Sequence, residues 1–495
     1  MLDNILQLLT YNPQEPILFS TSLFLYLFVA FVALYDLLQK RTAARLLFVT
    51  AFSYYFYYKS SGIYFFLLAV VTLSDYLLAG CIYRSHQNKP DQRRLRSLLL
   101  TLSLLIDLGL LAYFKYTNFF ASLIVPLFGG QFEPMDIFLP VGISFFTFQS
   151  LSYTIDIYRG KLQPVQSLLD YAFFVSFFPQ LVAGPIVRAS DFVPQIRKPL
   201  QATDEMRARG IYFILCGLLK KCIISDYISL NFVDRIFDDP TLYSGIENLL
   251  GLYGYTLQIY CDFSGYSDMA IGIALLLGFH FPKNFDTPYI STNVSEFWHR
   301  WHISFSTWIR DYIYISLGGN RCREWRIHFN LFVTMLIGGL WHGASLNFVA
   351  WGAMHGAALS LHKWFRQHVM HHDRNYKPHG LRRLGATLLT FHFIVFTFIF
   401  FRSRSFETSW QVIEQIVFNF HPELTWEVIT GYAAVMSLIA LGYLSHFTPA
   451  KWQEGSVKLL QKGGILLQAL AMIAAIYAVA QFKTSAIQPF IYFQF

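Results

Sequence analysis

Long apolar runs recur along the chain and are separated by short polar stretches. A helix that crosses a membrane needs about 20 consecutive, mostly apolar residues. Windows of that length predict segments at 17–38, 44–58, 62–83, 97–125, 137–157, 169–187, 209–230, 246–279, 330–364, 384–402, 428–446 and 464–482. The pattern predicts an all-α, polytopic integral membrane protein with about 11 to 13 membrane-embedded helices. We expect one membrane-embedded domain over residues 1–495.

Two of these segments are flanked by basic residues on both sides, namely 169–187 and 330–364. Because Lys and Arg favour the cytoplasmic side, each segment is expected to enter the membrane and return. The proline and glycine residues of Pro179–Pro185 predict a turn in the first. Gly338–Gly343 predicts a break in the second, which would place His342 inside the membrane.

Basic loops also predict the topology. The loops after the first and third segments are rich in Lys and Arg and should be cytoplasmic, which places the N-terminus outside. Segment 281–328 is too polar to span, so it is interpreted as cytoplasmic and re-entrant amphipathic helices along an aqueous path. The last segments then leave residues 484–495 as an extracytoplasmic tail.

Composition agrees with a lipid environment. Only 14% of the residues are charged, 55% are hydrophobic, and the mean hydropathy is +0.41, whereas a soluble domain carries about 25% charged residues. The net charge of +8 comes from short basic runs between apolar segments, so no nucleic-acid partner is predicted. The five cysteines are scattered without a CxxC pair, which argues against a disulfide framework or a metal site.

Two histidines are candidates for chemistry. His342 lies within the longest apolar stretch, and His302 lies in the aromatic segment Phe297–Asp311. A polar side chain at membrane depth is costly and therefore suggests a function, although a structural hydrogen bond is the alternative. Imidazole is the side chain best suited to proton transfer near neutral pH. The structural interpretation is preferred for His299 and His355.

Metal binding is the rival use of histidine, because His299 and His302 are three residues apart. No carboxylate or cysteine pattern completes such a site, so no metal is expected. Carboxylates in apolar segments are expected to form structural pairs with Lys220, Lys221 or backbone donors. The segment Cys261–Gly272 clusters Ser, Gly and Asp, which suggests a polar turn lining a cavity.

The chain ends in an aromatic hexapeptide, Phe490 to Phe495. One interpretation is an aromatic anchor at the membrane interface. The other is that Tyr492 briefly carries an acyl group. A phenol has a pKa of about 10, so its ester donates an acyl group more readily than an alkyl ester does.

Two stretches identify a family resemblance. Glu296–Arg321 (EFWHRWHISFSTWIRDYIYISLGGNR) and Gly338–Gly356 (GGLWHGASLNFVAWGAMHG) closely resemble the membrane-bound O-acyltransferase family. The similarity is greatest to the subgroup of bacterial alginate O-acetyltransferases and teichoic acid D-alanylation proteins. The usual FWRRWH of that subgroup has His299 in place of an Arg here.

The resemblance implies a ring of helices around a central tunnel, with His342 as the family's invariant histidine and His302 as its second one. It implies transfer of acetyl from cytosolic acetyl-CoA to an extracytoplasmic polysaccharide, completed by an SGNH-like accessory protein. Phe490, Tyr492 and Phe495 match the acyl-carrier motif of a small teichoic acid D-alanylation partner. A bacterial inner-membrane location is expected. The alternatives are a transporter or flippase, or a D-alanyl or long-chain acyl transferase.

Overall fold

The structure is a computed structural model that describes residues 8–13, 15–88, 91–198, 202–371, 376 and 378–482. Throughout these residues the regular secondary structure is helical, without a β-strand, which confirms the all-α prediction. The tail 484–495, with Tyr492, lies outside the described residues.

The helices of the first part of the chain alternate between long apolar elements and short ones. They are α1 (Ser22–Leu38), α2 (Thr42–Ser61), α3 (Phe65–Asn88), α4 (Arg93–Leu111), α5 (Thr117–Ile124), α6 (Ile143–Tyr158), α7 (Leu168–Ser176), α8 (Phe178–Leu181), α9 (Ala189–Ile196) and α10 (Asp204–Leu218).

The remaining helices include the longest element of the described chain. They are α11 (Asp226–Ile228), α12 (Asp234–Asp238), α13 (Gly245–Leu276), α14 (Val294–Arg300), α15 (Ile303–Ile309), α16 (Glu324–His342), α17 (Leu346–His368), α18 (Gly380–Arg402), α19 (Phe406–Phe418), α20 (Thr425–Gly431), α21 (Ala433–Leu444), α22 (Ala450–Lys462) and α23 (Gly464–Phe482).

Several helical stretches of the described chain are long and apolar enough to cross a membrane. They are Thr42–Gln87, Arg93–Phe128, Gly380–Arg402 and Gly464–Gln481, with a further candidate in the pair Pro422–Gly431 and Ala433–Phe447, bent by 95°. These elements confirm a polytopic membrane protein. Other predicted segments are interrupted, for example by the π-helical stretch Leu219–Ser225. The expected 11 to 13 embedded helices and their ring around a tunnel therefore stay a prediction.

The chain folds into two compact units. Of the described residues, the first unit comprises those within 1–214 and 269–282, and the second comprises those within 215–268 and 283–495. His302 and His342 both belong to the second unit.

In the first unit, segment 169–187 is broken as predicted. α7 ends at Ser176, α8 is a single turn, and residues 182–188 are not helical. The ring of Phe178 packs against those of Phe31 and Phe52, with centroids 5.4 and 5.1 Å away. All residues from 173 to 187 are buried, and such irregular backbone is tolerated within a membrane where protein surrounds it.

In the second unit, the buried Lys221 and the partly exposed Lys220 are paired with carboxylates. Lys220 Nζ lies 2.7 Å from Asp268, and Lys221 Nζ lies 2.5 Å from Asp262 and 2.8 Å from Asp226. The predicted lysine pairing is therefore confirmed for these residues. The predicted turn at Cys261–Gly272 is wrong, because that segment continues within α13. Its polar side chains pair with a neighbouring helix, so the backbone does not need to turn.

Helices α16 and α17 form an antiparallel hairpin with His342 at its tip. A Cβ added at Gly339 would overlap the carbonyl oxygen of Phe348, and one added at Gly352 would overlap that of Met335. Glycine at these positions therefore allows the two backbones to approach closely. The predicted break is confirmed in this segment: α16 ends at His342, where Gly343 becomes extended with φ −159°.

Candidate active site

His342 is the last residue of α16, and aromatic rings surround it. The ring centroids of Trp341, Trp351 and Phe401 lie 5.0, 5.1 and 5.3 Å from the imidazole centroid. Phe305 completes the cluster at 5.1 Å. The residue is 1% exposed, so this aromatic cluster shields it from solvent.

His302 lies at the junction between α14 and α15 in a left-handed backbone conformation, with φ 42° and ψ 55°. That conformation is unfavourable for a residue other than glycine and is often found at functional sites. The side chain is fully buried and packs on Phe263 and Phe305, with centroids 4.6 and 5.0 Å away. Its ring lies 6.4 Å from that of His342, so the structure brings the two predicted histidines together.

Asn284 holds the segment that carries His302. Its side-chain oxygen lies 3.2 Å from His302 Nδ1 and accepts a hydrogen bond of 2.8 Å from Ser304 Oγ. Its amide nitrogen donates to Ser267 Oγ at 3.0 Å. This contact could not be predicted from the sequence, because a single Asn 18 positions before a histidine has no recognisable spacing.

The helix before His302 begins with a well-formed cap. Asn293 Oδ1 accepts the backbone N–H of Glu296 at 2.8 Å, a typical N-cap bond. Partial burial alone would raise the pKa of Glu296, but hydrogen bonds from Thr292 and Arg300 outweigh it and hold that pKa below its ordinary value. The carboxylate is therefore ionised near neutral pH and fixes α14 at both ends.

The two histidines predicted to be structural occupy different environments. His355 is buried, accepts a hydrogen bond from Trp298 Nε1 at 3.3 Å and lies 3.1 Å from Thr397 Oγ1 through its other ring nitrogen. His299 is exposed, with Nδ1 2.6 Å from the carbonyl of Ser295. In the part of the chain that the structure describes, no group of three His, Cys, Asp or Glu side chains could hold a metal ion.

A cavity of about 570 Å³ lies along the open end of the α16–α17 hairpin. Among the described residues its lining includes the cationic side chains Arg310, Lys363 and Arg366 and no carboxylate. Arg310 is paired with Asp311 at 2.6 Å, and Lys363 Nζ lies 3.0 Å from Asn320 Oδ1. Because its described lining contains these three cationic side chains and no carboxylate, the cavity is suited to an anionic ligand.

The cavity extends from this charged end towards the histidines. Its lining also includes Met335, on the same helix as His342 and seven residues before it, a rise of about 10 Å. A catalytic role for His342 requires that a donor and an acceptor can both reach its ring. Because both imidazoles are buried, that requirement means that aromatic side chains beside them must move.

The sequence model of the membrane-bound O-acyltransferase family matches residues 16–400, and the chain belongs to that family. It is therefore an O-acyltransferase of the membrane-bound class, as the two histidine motifs predicted.

The chain is similar to several named relatives. It is 39% identical to the probable alginate O-acetylase AlgI of Pseudomonas aeruginosa, over 86% of this chain and 79% of the relative. It is 36% identical to the peptidoglycan O-acetyltransferase of Helicobacter pylori, over 81% and 80%. The teichoic acid D-alanyltransferase of Bacillus subtilis is 29% identical, over 55% of this chain and 71% of the relative.

Proposed function

We propose that this protein transfers acetyl groups from cytosolic acetyl-CoA towards hydroxyl groups of an extracytoplasmic polysaccharide. The observation that carries the proposal is the pair of imidazoles 6.4 Å apart at one end of a hairpin whose other end lines a basic cavity. Acetyl is favoured over D-alanyl as the transferred group, because the acetyltransferase relatives above are more similar and match more of the chain.

The chemistry assigned to His342 is general-base catalysis. Its neutral imidazole accepts the proton of the attacking hydroxyl, whose oxygen bonds to the carbonyl carbon of the acetyl thioester. The carbon–sulfur bond then breaks, and the sulfur leaves and takes up the proton. The products are an acetyl ester and the free thiol of CoA, with the imidazole neutral again. His302 assists this step or positions the donor.

The donor is placed in the basic cavity. Its phosphates would bind near Lys363 and Arg366, and the flexible arm of CoA would extend past Met335 towards the hairpin tip. In this arrangement the charged end of the hairpin faces the cytosol. Phe305 and Trp341, which pack on each other at 4.6 Å beside the histidines, must move for the thioester to arrive.

The acceptor of the first transfer is proposed to be Tyr492, on a tail at the extracytoplasmic side of a bacterial inner membrane. The phenol ester would then pass acetyl to the polysaccharide or to an SGNH-like accessory protein. A phenol is a better leaving group than an alkyl alcohol. Transfer of acetyl from the tyrosyl ester to a polysaccharide hydroxyl is therefore favourable, because it converts a phenol ester into an alkyl ester.

The test is reconstitution of the full chain in proteoliposomes supplied with radiolabelled donors. Acetyl-CoA, palmitoyl-CoA and a D-alanyl carrier protein are compared, with His342→Ala as the inactive control. The proposal expects covalent label from acetyl-CoA alone. Label from only one of the other donors would contradict the assignment of the acyl group. Passage of a solute without any covalent product would favour the transporter alternative.

A further inference from the structure

We infer that Asn284 is a positioning residue that fixes the tautomer of His302, so that Nδ1 carries the ring proton and Nε2 is the proton acceptor. The inference rests on the proposed function only in that His302 takes part in the transfer. The tautomer itself follows from hydrogen bonds within the second unit.

The orientation of the Asn284 amide is determined by a backbone group. The main-chain N–H of Ser304 can only donate, and it lies 3.2 Å from the side-chain atom assigned as Oδ1. The Ser304 hydroxyl donates to the same oxygen at 2.8 Å, while Nδ2 donates to Ser267 Oγ at 3.0 Å. A flipped amide would place two N–H donors against each other, so the oxygen must face Ser304 and His302.

Only one tautomer of the neutral His302 ring is consistent with this orientation of the amide. An amide oxygen accepts and cannot donate, so His302 Nδ1, at 3.2 Å from it, must carry the hydrogen. The lone pair therefore belongs to Nε2. A neutral imidazole offers only one basic nitrogen, and Asn284 selects which one it is.

Asn284 also supports the strained backbone at this point. Its main-chain oxygen accepts the N–H of Ile303 at 2.9 Å, directly after the left-handed residue His302. The same Asn thus contacts residues 302, 303 and 304, and it is only 1% exposed. Several hydrogen bonds to the adjoining residues can hold a backbone in an unfavourable conformation, here the left-handed conformation of His302.

A second buried asparagine provides a matched control. Asn248 is 0% exposed, and its amide nitrogen lies 3.0 to 3.1 Å from the carbonyls of Pro240, Tyr243 and Ser244. It holds a loop at the start of α13 and contacts neither candidate histidine. Its removal reports the cost of losing a buried amide without any effect on a functional imidazole.

The experiment compares Asn284→Leu, Asn284→Asp and Asn248→Leu in the full-length protein. The kinetic measurements are kcat and KM for acetyl-CoA and the pH dependence of kcat. The tautomer is measured from the ¹⁵N NMR spectrum of histidine-labelled protein in lipid. The His302 signals are assigned by their loss in His302→Gln. For Asn284→Leu we expect kcat to fall roughly 10- to 100-fold, because part of the general acid–base contribution is lost. KM should be nearly unchanged, and signals of the Nε2-protonated tautomer of His302 should appear.

Asn284→Asp keeps an acceptor opposite Nδ1 and should recover part of kcat. The added carboxylate favours imidazolium, so the acidic limb of the pH profile should move to higher pH. Asn248→Leu should lower the melting temperature and leave the pH profile and the His302 signals unchanged.

The outcomes separate this inference from the proposed function. An unchanged His302 tautomer in Asn284→Leu, or an Asn284→Asp variant no better than the leucine variant, would overturn the positioning role. If instead the tautomer shifts in Asn284→Leu while His302→Gln keeps full activity, the positioning role stands and the catalytic role of His302 fails.

Discussion

His342 and His355 contact the same indole, that of Trp351, with ring centroids 5.1 and 4.6 Å from it. Both histidines are 1% exposed and belong to the same hairpin. His355 lies within α17 between Trp298 and Thr397, whereas His342 lies at the helix end beside His302. Two equally buried imidazoles thus differ in position, which allows a controlled comparison.

Replacement of His342 by Ala should reduce acetyl transfer by about 10²- to 10⁴-fold, the usual contribution of a general base, with normal membrane insertion. His355→Gln should lower the melting temperature but keep activity within a few-fold. Both are measured with labelled acetyl-CoA in proteoliposomes. Equal loss of activity in the two variants at equal expression would remove the distinction between them.

The effects of His302 and His342 should not add. Residues in contact that act in one step show strongly non-additive kinetics, and these rings are 6.4 Å apart. The double variant His302→Gln/His342→Gln should therefore be about as slow as His342→Gln alone. A double variant slower by the product of the two single effects would indicate that the histidines act independently.

Reversal of charge in the basic cavity should weaken donor binding. Lys363→Glu and Arg366→Glu should each raise the KM for acetyl-CoA by roughly tenfold, equivalent to about 1.4 kcal/mol, with kcat little changed. The effect should shrink with 3′-dephospho-acetyl-CoA and at high salt. Arg404→Glu is the control, because Arg404 is exposed and pairs with Asp238 away from the cavity lining. A similar rise in KM for this control would show that the effect is non-specific.

The close contact between α16 and α17 should be sensitive to a single methyl group. Gly339→Ala would force a Cβ against the Phe348 carbonyl, and overpacking of this kind costs about 1 to 3 kcal/mol. We expect a lower melting temperature and reduced activity, because His342 lies one turn away. Gly385→Ala on α18 has nothing within 4 Å of its added Cβ and should be neutral or slightly stabilising.

Tyr492→Phe should abolish product while leaving the fold intact. Mass analysis of the C-terminal peptide after incubation with acetyl-CoA should find an added acetyl group in the wild type and none in the variant. Tyr477, an exposed residue of α23, provides a matched Tyr→Phe control with full activity. Normal yield from Tyr492→Phe would end the relay hypothesis.

The sequence predicted the features that depend on local chemistry. Proline and glycine marked the interruption that leaves residues 182–188 non-helical, and glycine marked the end of α16 at His342. Burying an unpaired charge in an apolar segment is costly. This cost correctly predicted that Lys220 and Lys221 pair with carboxylates. These predictions needed only neighbouring residues and the cost of burying charge.

Features that depend on distant residues could not be predicted. The contact of Asn284 with His302 requires chain reversals at residues with positive φ, such as Thr287 at 43°. The segment Cys261–Gly272 contains good turn residues, yet tertiary packing keeps it helical: Gly265 lies against the carbonyl of Gly217 on a neighbouring helix. Local propensity was overridden there by a close helix contact.

Under the proposed function, the burial of both imidazoles has a consequence for the cell's supply of acetyl thioester. A base permanently open to the cytosol would activate water as readily as an alcohol, and each such event would destroy a donor molecule without modifying anything. Trp341, Trp351 and Phe401 enclose the ring of His342, so in the proposed mechanism activation of a nucleophile would wait for the arriving thioester to open this enclosure. An idle enzyme working by this mechanism would cause little futile hydrolysis, and replacing these aromatic residues by smaller ones should increase hydrolysis of the donor.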